Sequence, residues 1–182
     1  FSLTNGFSYA SDTIPLQCMN KKTLSLRVSN VIKGCEKTEV SLGAGAIPHS
    51  LIRPSVIDKQ LMYRFKAAQA AAKKDGQALY IASGFRSLER QKVLFAQAVK
   101  KYGSKKVASK WVAPPLISHH PWGVAIDVNY PNEPVGAGWL EVNGSKFCLC
   151  RVFENEWWHF EPVIAPGWKC PALVPDATYS VD

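Results

Sequence analysis

Apolar residues in the middle of the chain recur at helical spacing in two segments. The first segment runs over 57–74, with Ser55 as a suitable N-cap and Gly76 after its last turn. The second runs over 88–102 and is followed by Gly103, a residue typical of the position after a helix. The pattern therefore predicts two amphipathic helices, each with one buried face.

Short apolar runs between and after these helices predict strands. The predicted strands lie at 78–82, 124–128, 147–152 and 158–162. The stretch 129–138 is rich in proline and glycine, and we expect it to be a loop.

The first fifty residues give weaker signals. Turn residues at Asn5-Gly6 and at Gly34 predict short strands or extended packing segments between them. The segment 43–54 is predicted to be a loop, and His49 within it is expected to be an ordinary loop histidine.

The composition is that of one globular domain spanning 1–182. With 182 residues, 47% of them hydrophobic and 20% charged, the chain can bury a core of useful size. Helices and strands do not alternate strictly, which predicts an α+β fold. No apolar run approaches the ~18 residues of a membrane span. The start at Phe1 is expected of a processed mature protein or of an excised piece.

The net charge of +8 is partly gathered in the pairs Lys100-Lys101 and Lys105-Lys106. A basic face of this kind either keeps the protein solvated or attracts a polyanion. A bacterial wall rich in carboxylates and phosphates is one candidate partner. Nucleic acid is not expected, because the chain carries no nucleic-acid motif and no interleaving of aromatic and basic residues.

Five cysteines predict two disulfides and one remaining thiol in an oxidising compartment. Cys18 and Cys35 bracket a short segment and are expected to pair, while Cys170 is expected to reach Cys148 or Cys150. A bridge between Cys148 and Cys150 is disfavoured, because residues two apart on a strand lie near the upper limit for an unstrained bond. The cysteine spacing fits no zinc-finger pattern.

Donor groups for a metal ion cluster in two segments of the second half. Asp127 and His159 supply a carboxylate and an imidazole, and either His119 or His120 supplies another imidazole. Three nitrogen or oxygen ligands are what a catalytic zinc site requires. Spacing alone does not choose between the two neighbouring histidines. Glu156, three residues before His159, is the candidate general base.

Other candidates surround this set. Arg86 follows a predicted strand in a tight turn, where a guanidinium could stabilise an oxyanion or bind a substrate carboxylate. Glu161 is expected to be a surface carboxylate. Trp157 and Trp158 point to opposite faces of an extended segment, so one would pack in the core. Trp158 is the candidate for lining the cleft, although packing alone explains either ring equally well.

Three motifs in this chain together resemble the zinc D-alanyl-D-alanine peptidases of the VanY/VanX type, which share their fold with the hedgehog signalling domain. The segment 118–127 matches S-x-H-x-x-G-x-A-x-D, and 156–159 matches E-x-x-H. The segment 83–91 resembles S-G-[YF]-R-S-x-x-x-Q. The resemblance covers roughly 55–163 and leaves the N-terminal fifty residues unmatched.

The resemblance implies specific roles for residues of this sequence. It implies one Zn²⁺ per chain, held by His120, Asp127 and His159, and thereby selects His120 over His119. The implied fold is a small antiparallel sheet that carries the site and is flanked by helices. The remaining roles implied are Glu156 as base, Arg86 as the arginine that stabilises the transition state, and Gln91 and Ser118 as substrate contacts.

The resulting functional hypothesis is a secreted or cell-envelope D,D-carboxypeptidase acting on peptidoglycan stem peptides. A D,D-dipeptidase, an L,D-carboxypeptidase and a wall endopeptidase are alternatives on the same scaffold. A zinc-bearing binding or signalling module without catalysis is the alternative from another class. The presence of both Glu156 and Arg86 favours the enzyme.

Overall fold

The computed structural model describes residues 14–47 and 53–179. The predicted turn at Asn5-Gly6 and the residue His49 lie outside these ranges. The helices are α1 (Lys59–Lys74), α2 (Leu88–Tyr102), α3 (Lys105–Ala108) and α4 (Pro134–Asn143). The strands are β1 (Pro15–Asn20), β2 (Leu26–Asn30), β3 (Glu39–Ser41), β4 (Ile81–Ser83), β5 (Ile126–Val128), β6 (Cys150–Arg151) and β7 (His159–Glu161).

The two predicted helices form, and capping explains their ends. Helix α2 has the predicted bounds, because the Ser87 side chain accepts from the backbone N–H of Arg90 and Gly103 takes the left-handed conformation at φ +81°. Helix α1 begins later than predicted, and its N-cap is Asp58 instead of Ser55. The Asp58 backbone N–H donates to the carbonyl of Gly123 at 2.8 Å, which ties the preceding turn to the site region.

Two predicted boundaries in the second half are wrong. The stretch 129–138 is not wholly a loop, because α4 begins inside it at Pro134. Proline is well suited to the first turn of a helix, where its missing N–H removes no hydrogen bond. The strand predicted over 147–152 shortens to β6, because a 3₁₀ turn over Gly144–Phe147 ends in Cys148 at φ +54°.

The strands of the described ranges form two antiparallel sheets, with orders β2-β1-β3 and β4-β5-β7-β6. In the second sheet, Asp127 on β5 lies opposite Ser83 on β4 and opposite His159 on β7. The predicted α+β class, with a small antiparallel sheet flanked by helices, is confirmed. This sheet brings residues that are far apart in the sequence to neighbouring positions.

The N-terminal sheet shares a hydrophobic core with the rest of the protein. Met19 and Leu42 pack in one buried cluster with Leu61 and Phe160. The fully buried guanidinium of Arg64 links the segments of this core by hydrogen bonds. It donates to the carbonyls of Leu42, Gly45 and Cys148 at 2.7–3.3 Å. Residues 14–47 are therefore built into the same core as the helices.

Two disulfides tie down segments at both ends of the described chain. Cys18 is bonded to Cys35, and Cys150 is bonded to Cys170. Of the two partners left open for Cys170, the structure selects Cys150, and Cys148 remains a buried thiol. Within 14–47 and 53–179, no helix is both long enough and apolar enough to cross a membrane.

Candidate metal centre

Two paired strands and one tight turn bring three potential metal ligands together. The register of β5 and β7 places Asp127 beside His159, and a 3₁₀ turn over His120–Trp122 supplies His120. Their ligand atoms all lie within 4.8 Å of one another. The turn ends at Gly123 with φ +70°, where a Cβ would lie 2.5 Å from the carbonyl oxygen of Val56. A side chain at this position would therefore displace the turn that carries His120.

Hydrogen bonds decide which nitrogen of each imidazole faces the cluster. His120 donates through Nδ1–H to the carbonyl of Gly84 at 2.7 Å, so its Nε2 keeps a lone pair 3.4 Å from Asp127 Oδ1. His159 donates through Nε2–H to Glu161 Oε1 at 2.7 Å, so its Nδ1 faces Asp127 Oδ1 at 3.2 Å. Two imidazole nitrogens and a carboxylate oxygen converge, and once His159 Nδ1 gives up its proton to a metal they form the donor set that suits zinc.

The electrostatics of the cluster favour a cation. Burial by itself would raise the pKa of Asp127, but the charges and hydrogen bonds of His120 and His159 outweigh it and hold this pKa well below its usual range. Burial would likewise lower the pKa of His159, yet hydrogen bonds to Asp127 and Glu161 raise it well above its ordinary value. Asp127 is thus held ionised at the point where the two imidazoles converge, and a divalent cation bound there would replace the proton of His159 as its positive partner.

Glu156 lies at the edge of the same centre. Its Oε2 is 3.6 Å from Nδ1 of His159. Burial raises the pKa of this carboxyl, an effect that the nearby His159 only partly offsets. A carboxylate with a raised pKa beside the candidate metal ligands is suited to taking up a proton at near-neutral pH.

Arg86 is held at the mouth of the centre by hydrogen bonds. Its Nη2 donates to Ser83 Oγ at 2.9 Å and to Asp127 Oδ2 at 3.4 Å, and its Nη1 donates to Gln91 Oε1 at 2.8 Å. Gln91 also donates to the carbonyl of Ala113 at 2.8 Å and is only 1% exposed. Both ends of its amide are engaged, so Gln91 orients Arg86, and Gln91 also lines the cavity, so the substrate contact expected from the sequence stays a prediction.

A cavity of about 290 Å³ opens onto these groups. Ser118 and Trp158 line it, as do Ile117 and Ala177. The ring of Trp158 lies 4.4 Å from that of Tyr130, whereas Trp157 packs against the main core. The structure thus assigns the two tryptophans to opposite environments, with Trp158 on the cavity side.

Sequence reasoning assigned Glu161 to the surface and considered His119 only as a rival metal ligand, so it missed the contact between them. Glu161 is not a surface carboxylate: it is 3% exposed and accepts hydrogen bonds from His119 Nδ1 and His159 Nε2, both at 2.7 Å. Although burial would raise the pKa of Glu161, these bonds lower it to about 2. One signal was present in the sequence, because residues two apart on a strand share a face, which places Glu161 beside His159.

Comparison with known proteins identifies the family. Residues 54–161, well over half of the chain, match the family model described as VanY, D-alanyl-D-alanine carboxypeptidase. This chain belongs to the VanY family. The matched range contains Arg86 and every ligand candidate, but it excludes the N-terminal sheet and the tail that carries Ala177.

Two curated relatives support the assignment to the VanY family. The chain is 35% identical over 145 residues to the YodJ protein of Bacillus subtilis strain 168, a match that covers 69% of this chain and 52% of YodJ. It is 31% identical over 117 residues to a D-alanyl-D-alanine carboxypeptidase of Enterococcus faecalis, covering 51% of this chain and 43% of the relative. The chain therefore spans about half or less of each relative's length.

Solved structures agree with the fold. A mutant of the vancomycin resistance D,D-pentapeptidase VanY from a VanB-type cassette, solved in complex with Zn(II), superposes with a TM-score of 0.55 at 26% identity. The superposition covers 64% of this chain and 82% of the VanY chain. The LdcB LD-carboxypeptidase superposes with a TM-score of 0.54 at 27% identity. This superposition covers 67% of this chain and 73% of the LdcB chain.

Proposed function

We propose that this VanY-family protein is a zinc-dependent D-alanyl-D-alanine carboxypeptidase that acts on peptidoglycan stem peptides. The convergence of His120 Nε2, Asp127 Oδ1 and His159 Nδ1 beside Glu156 carries the proposal. Membership of the VanY family supports the reaction class, and the zinc complex of a VanY relative supports zinc as the metal.

His120, Asp127 and His159 would hold one zinc ion per chain. Bound there, zinc would acidify a water molecule and polarise the scissile carbonyl. The protein's own contribution is geometric: Gly84 and Glu161 hold the two imidazoles so that each turns its other nitrogen toward the same point. Ligands fixed in advance in this way lose little entropy on binding.

Glu156 would act as the general base and acid. Its carboxylate would take the proton of the attacking water and later deliver that proton to the leaving amine. Burial, which raises the pKa of this carboxyl, favours such two-way transfer. The distance of 3.6 Å between Glu156 Oε2 and His159 Nδ1 supports this role, because a substrate held at the proposed ligands would also be close to Glu156.

Arg86 would stabilise negative charge on the substrate. Its guanidinium is oriented by Ser83 and Gln91 and lies in the wall of the cavity. A charge fixed in a partly buried site stabilises a developing oxyanion, or a terminal carboxylate, more strongly than a mobile one. Ser118 and Trp158 would contact the rest of the peptide, because both line the same cavity.

An L,D-carboxypeptidase is the second candidate, because the LdcB LD-carboxypeptidase is as similar in structure as the VanY relative. Both reactions release one terminal D-alanine and differ in the residue that precedes it. Tetrapeptide and pentapeptide stem substrates therefore separate the two functions.

The setting proposed for the enzyme is extracytoplasmic. Two disulfides, Cys18–Cys35 and Cys150–Cys170, are stable in an oxidising compartment. The net charge of +8 would favour contact with anionic wall polymers.

The deciding experiment is product analysis. Purified protein loaded with zinc is incubated with pentapeptide and tetrapeptide muropeptides, and the products are identified by mass spectrometry. Loss of one D-alanine from the pentapeptide, abolished by a chelator and restored by zinc, is the expected result. Cleavage of the tetrapeptide alone would indicate the L,D activity. Zinc binding without any cleavage would indicate a binding module.

A further inference from the structure

Glu161 is shared between two imidazoles. Its Oε2 accepts from Nδ1 of His119 and its Oε1 accepts from Nε2 of His159, each at 2.7 Å. The carboxylate side chain is 4% exposed, whereas the His119 side chain is 16% exposed on the cavity side. Both oxygens are therefore committed to histidines that lie 42 and two residues away.

This arrangement determines which end of the His159 ring is available. Nε2 is occupied by Glu161, so only Nδ1 faces Asp127 Oδ1 at 3.2 Å and Glu156 Oε2 at 3.6 Å. Without the carboxylate, the ring would lose the acceptor that selects this tautomer. A free imidazole presents either nitrogen to a metal, because the two tautomers are close in energy.

We propose that Glu161, itself held by His119, is the positioning residue that makes His159 bind zinc through Nδ1. The proposal rests on the zinc site of the proposed function. A carboxylate is needed because each of its two oxygens accepts one N–H; a glutamine offers a single acceptor oxygen and could satisfy only one of the two histidines.

The first test compares zinc affinity between Glu161→Gln and the starting protein by competition with a chromophoric chelator. Partners of metal-ligating histidines typically contribute 10–100-fold to metal affinity, so we expect a loss on the order of 10–100-fold. Asp176→Asn is the matched control, since it makes the same change at another buried carboxylate, bonded to Thr178. The control should bind zinc like the starting protein.

The second test needs no substitution at Glu161. Long-range proton–nitrogen NMR spectra of the zinc-loaded protein report which nitrogen of each histidine is protonated. We expect His159 to carry its proton on Nε2 and to bind zinc through Nδ1. Zinc on Nε2 of His159 would overturn the inference even if Glu161→Gln proves too unstable to study.

The part assigned to His119 is tested by a double-mutant cycle. His119→Phe removes the donor to Glu161 Oε2, and we expect a several-fold loss of zinc affinity, smaller than that of Glu161→Gln. Because His119 acts through Glu161, adding His119→Phe to Glu161→Gln should change little further. Independent, additive losses would contradict this part of the proposal.

The outcomes separate this inference from the proposed function. If the starting protein binds no zinc, both fail. If it binds zinc and hydrolyses muropeptides but Glu161→Gln binds zinc equally well, the positioning role alone is wrong. If Glu161→Gln weakens binding in a protein that cleaves no muropeptide, the positioning role stands and the proposed activity fails.

Discussion

Arg86 donates through Nη1 to Oε1 of Gln91 at 2.8 Å, and the amide of Gln91 is anchored in turn to the carbonyl of Ala113 at 2.8 Å. The first turn of α2 thereby fixes a charged group at the cavity. Gln91, which the motif marks as a substrate contact, lines the cavity and also holds the arginine beside it.

Replacing Gln91 with leucine should therefore weaken catalysis without removing zinc. Hydrogen bonds to charged groups contribute about 1.5–3 kcal/mol, and ~1.4 kcal/mol corresponds to tenfold in rate, so we expect kcat/KM to fall at least about tenfold. Gln69→Leu is the matched control, because Gln69 bonds to the Leu79 carbonyl away from the cavity. Unchanged activity in Gln91→Leu would contradict the bracing role.

Replacing Glu156 with glutamine should leave the metal in place and stop turnover. General acid–base groups typically contribute 10²–10⁴-fold, so kcat should drop by about that factor. Zinc content by elemental analysis and muropeptide cleavage are measured on the same sample. Glu154→Gln, an exposed position on the same loop, serves as the control. Full activity in Glu156→Gln would rule out its role as the base.

Replacing His159 with alanine should remove the zinc. The imidazole is one of the three proposed ligands, and two remaining protein ligands would not hold zinc at a site that requires three. Zinc content after dialysis is measured by elemental analysis, with circular dichroism to check folding. Stoichiometric zinc in the folded variant would refute the ligand assignment.

Replacing Ala177 with phenylalanine should impair substrate binding. Ala177 lies in the tail after β7, outside the VanY match, and forms part of the wall of the 290 Å³ cavity. A larger side chain would narrow the cavity, so KM for muropeptides should rise several-fold while zinc content stays constant. Ala172→Phe, at an exposed position of the same tail, is the control. An unaltered KM would show that the tail does not shape the substrate site.

Replacing Arg64 with methionine should destabilise the protein. The buried guanidinium donates hydrogen bonds to the carbonyls of Leu42, Gly45 and Cys148. Each buried acceptor left without a hydrogen bond costs about 1–3 kcal/mol of stability. We expect the free energy of unfolding, from urea denaturation with the disulfides intact, to fall by roughly 3 kcal/mol or more. Lys66→Met, at an exposed position of the same helix, should have little effect. Equal stability of the two variants would contradict the anchoring role.

The sequence alone determined the features that depend on local spacing. Helix α2 has its predicted bounds because Ser87 and Gly103 are capping residues whose effect needs no distant partner. The donor set of His120, Asp127 and His159 could be named from motifs, because each motif fixes residue types at short, regular intervals.

Only the tertiary structure decided the features that depend on distant contacts. Strand spacing could place Glu161 beside His159, but the hydrogen bond from His119, 42 residues away, follows from no local pattern. Arg64 joined the N-terminal sheet to the core through carbonyls that any residue could supply. Because every residue has a backbone carbonyl, the sequence does not show which carbonyls accept these hydrogen bonds. The sequence therefore names the groups that do chemistry, and the fold decides which groups hold them in place.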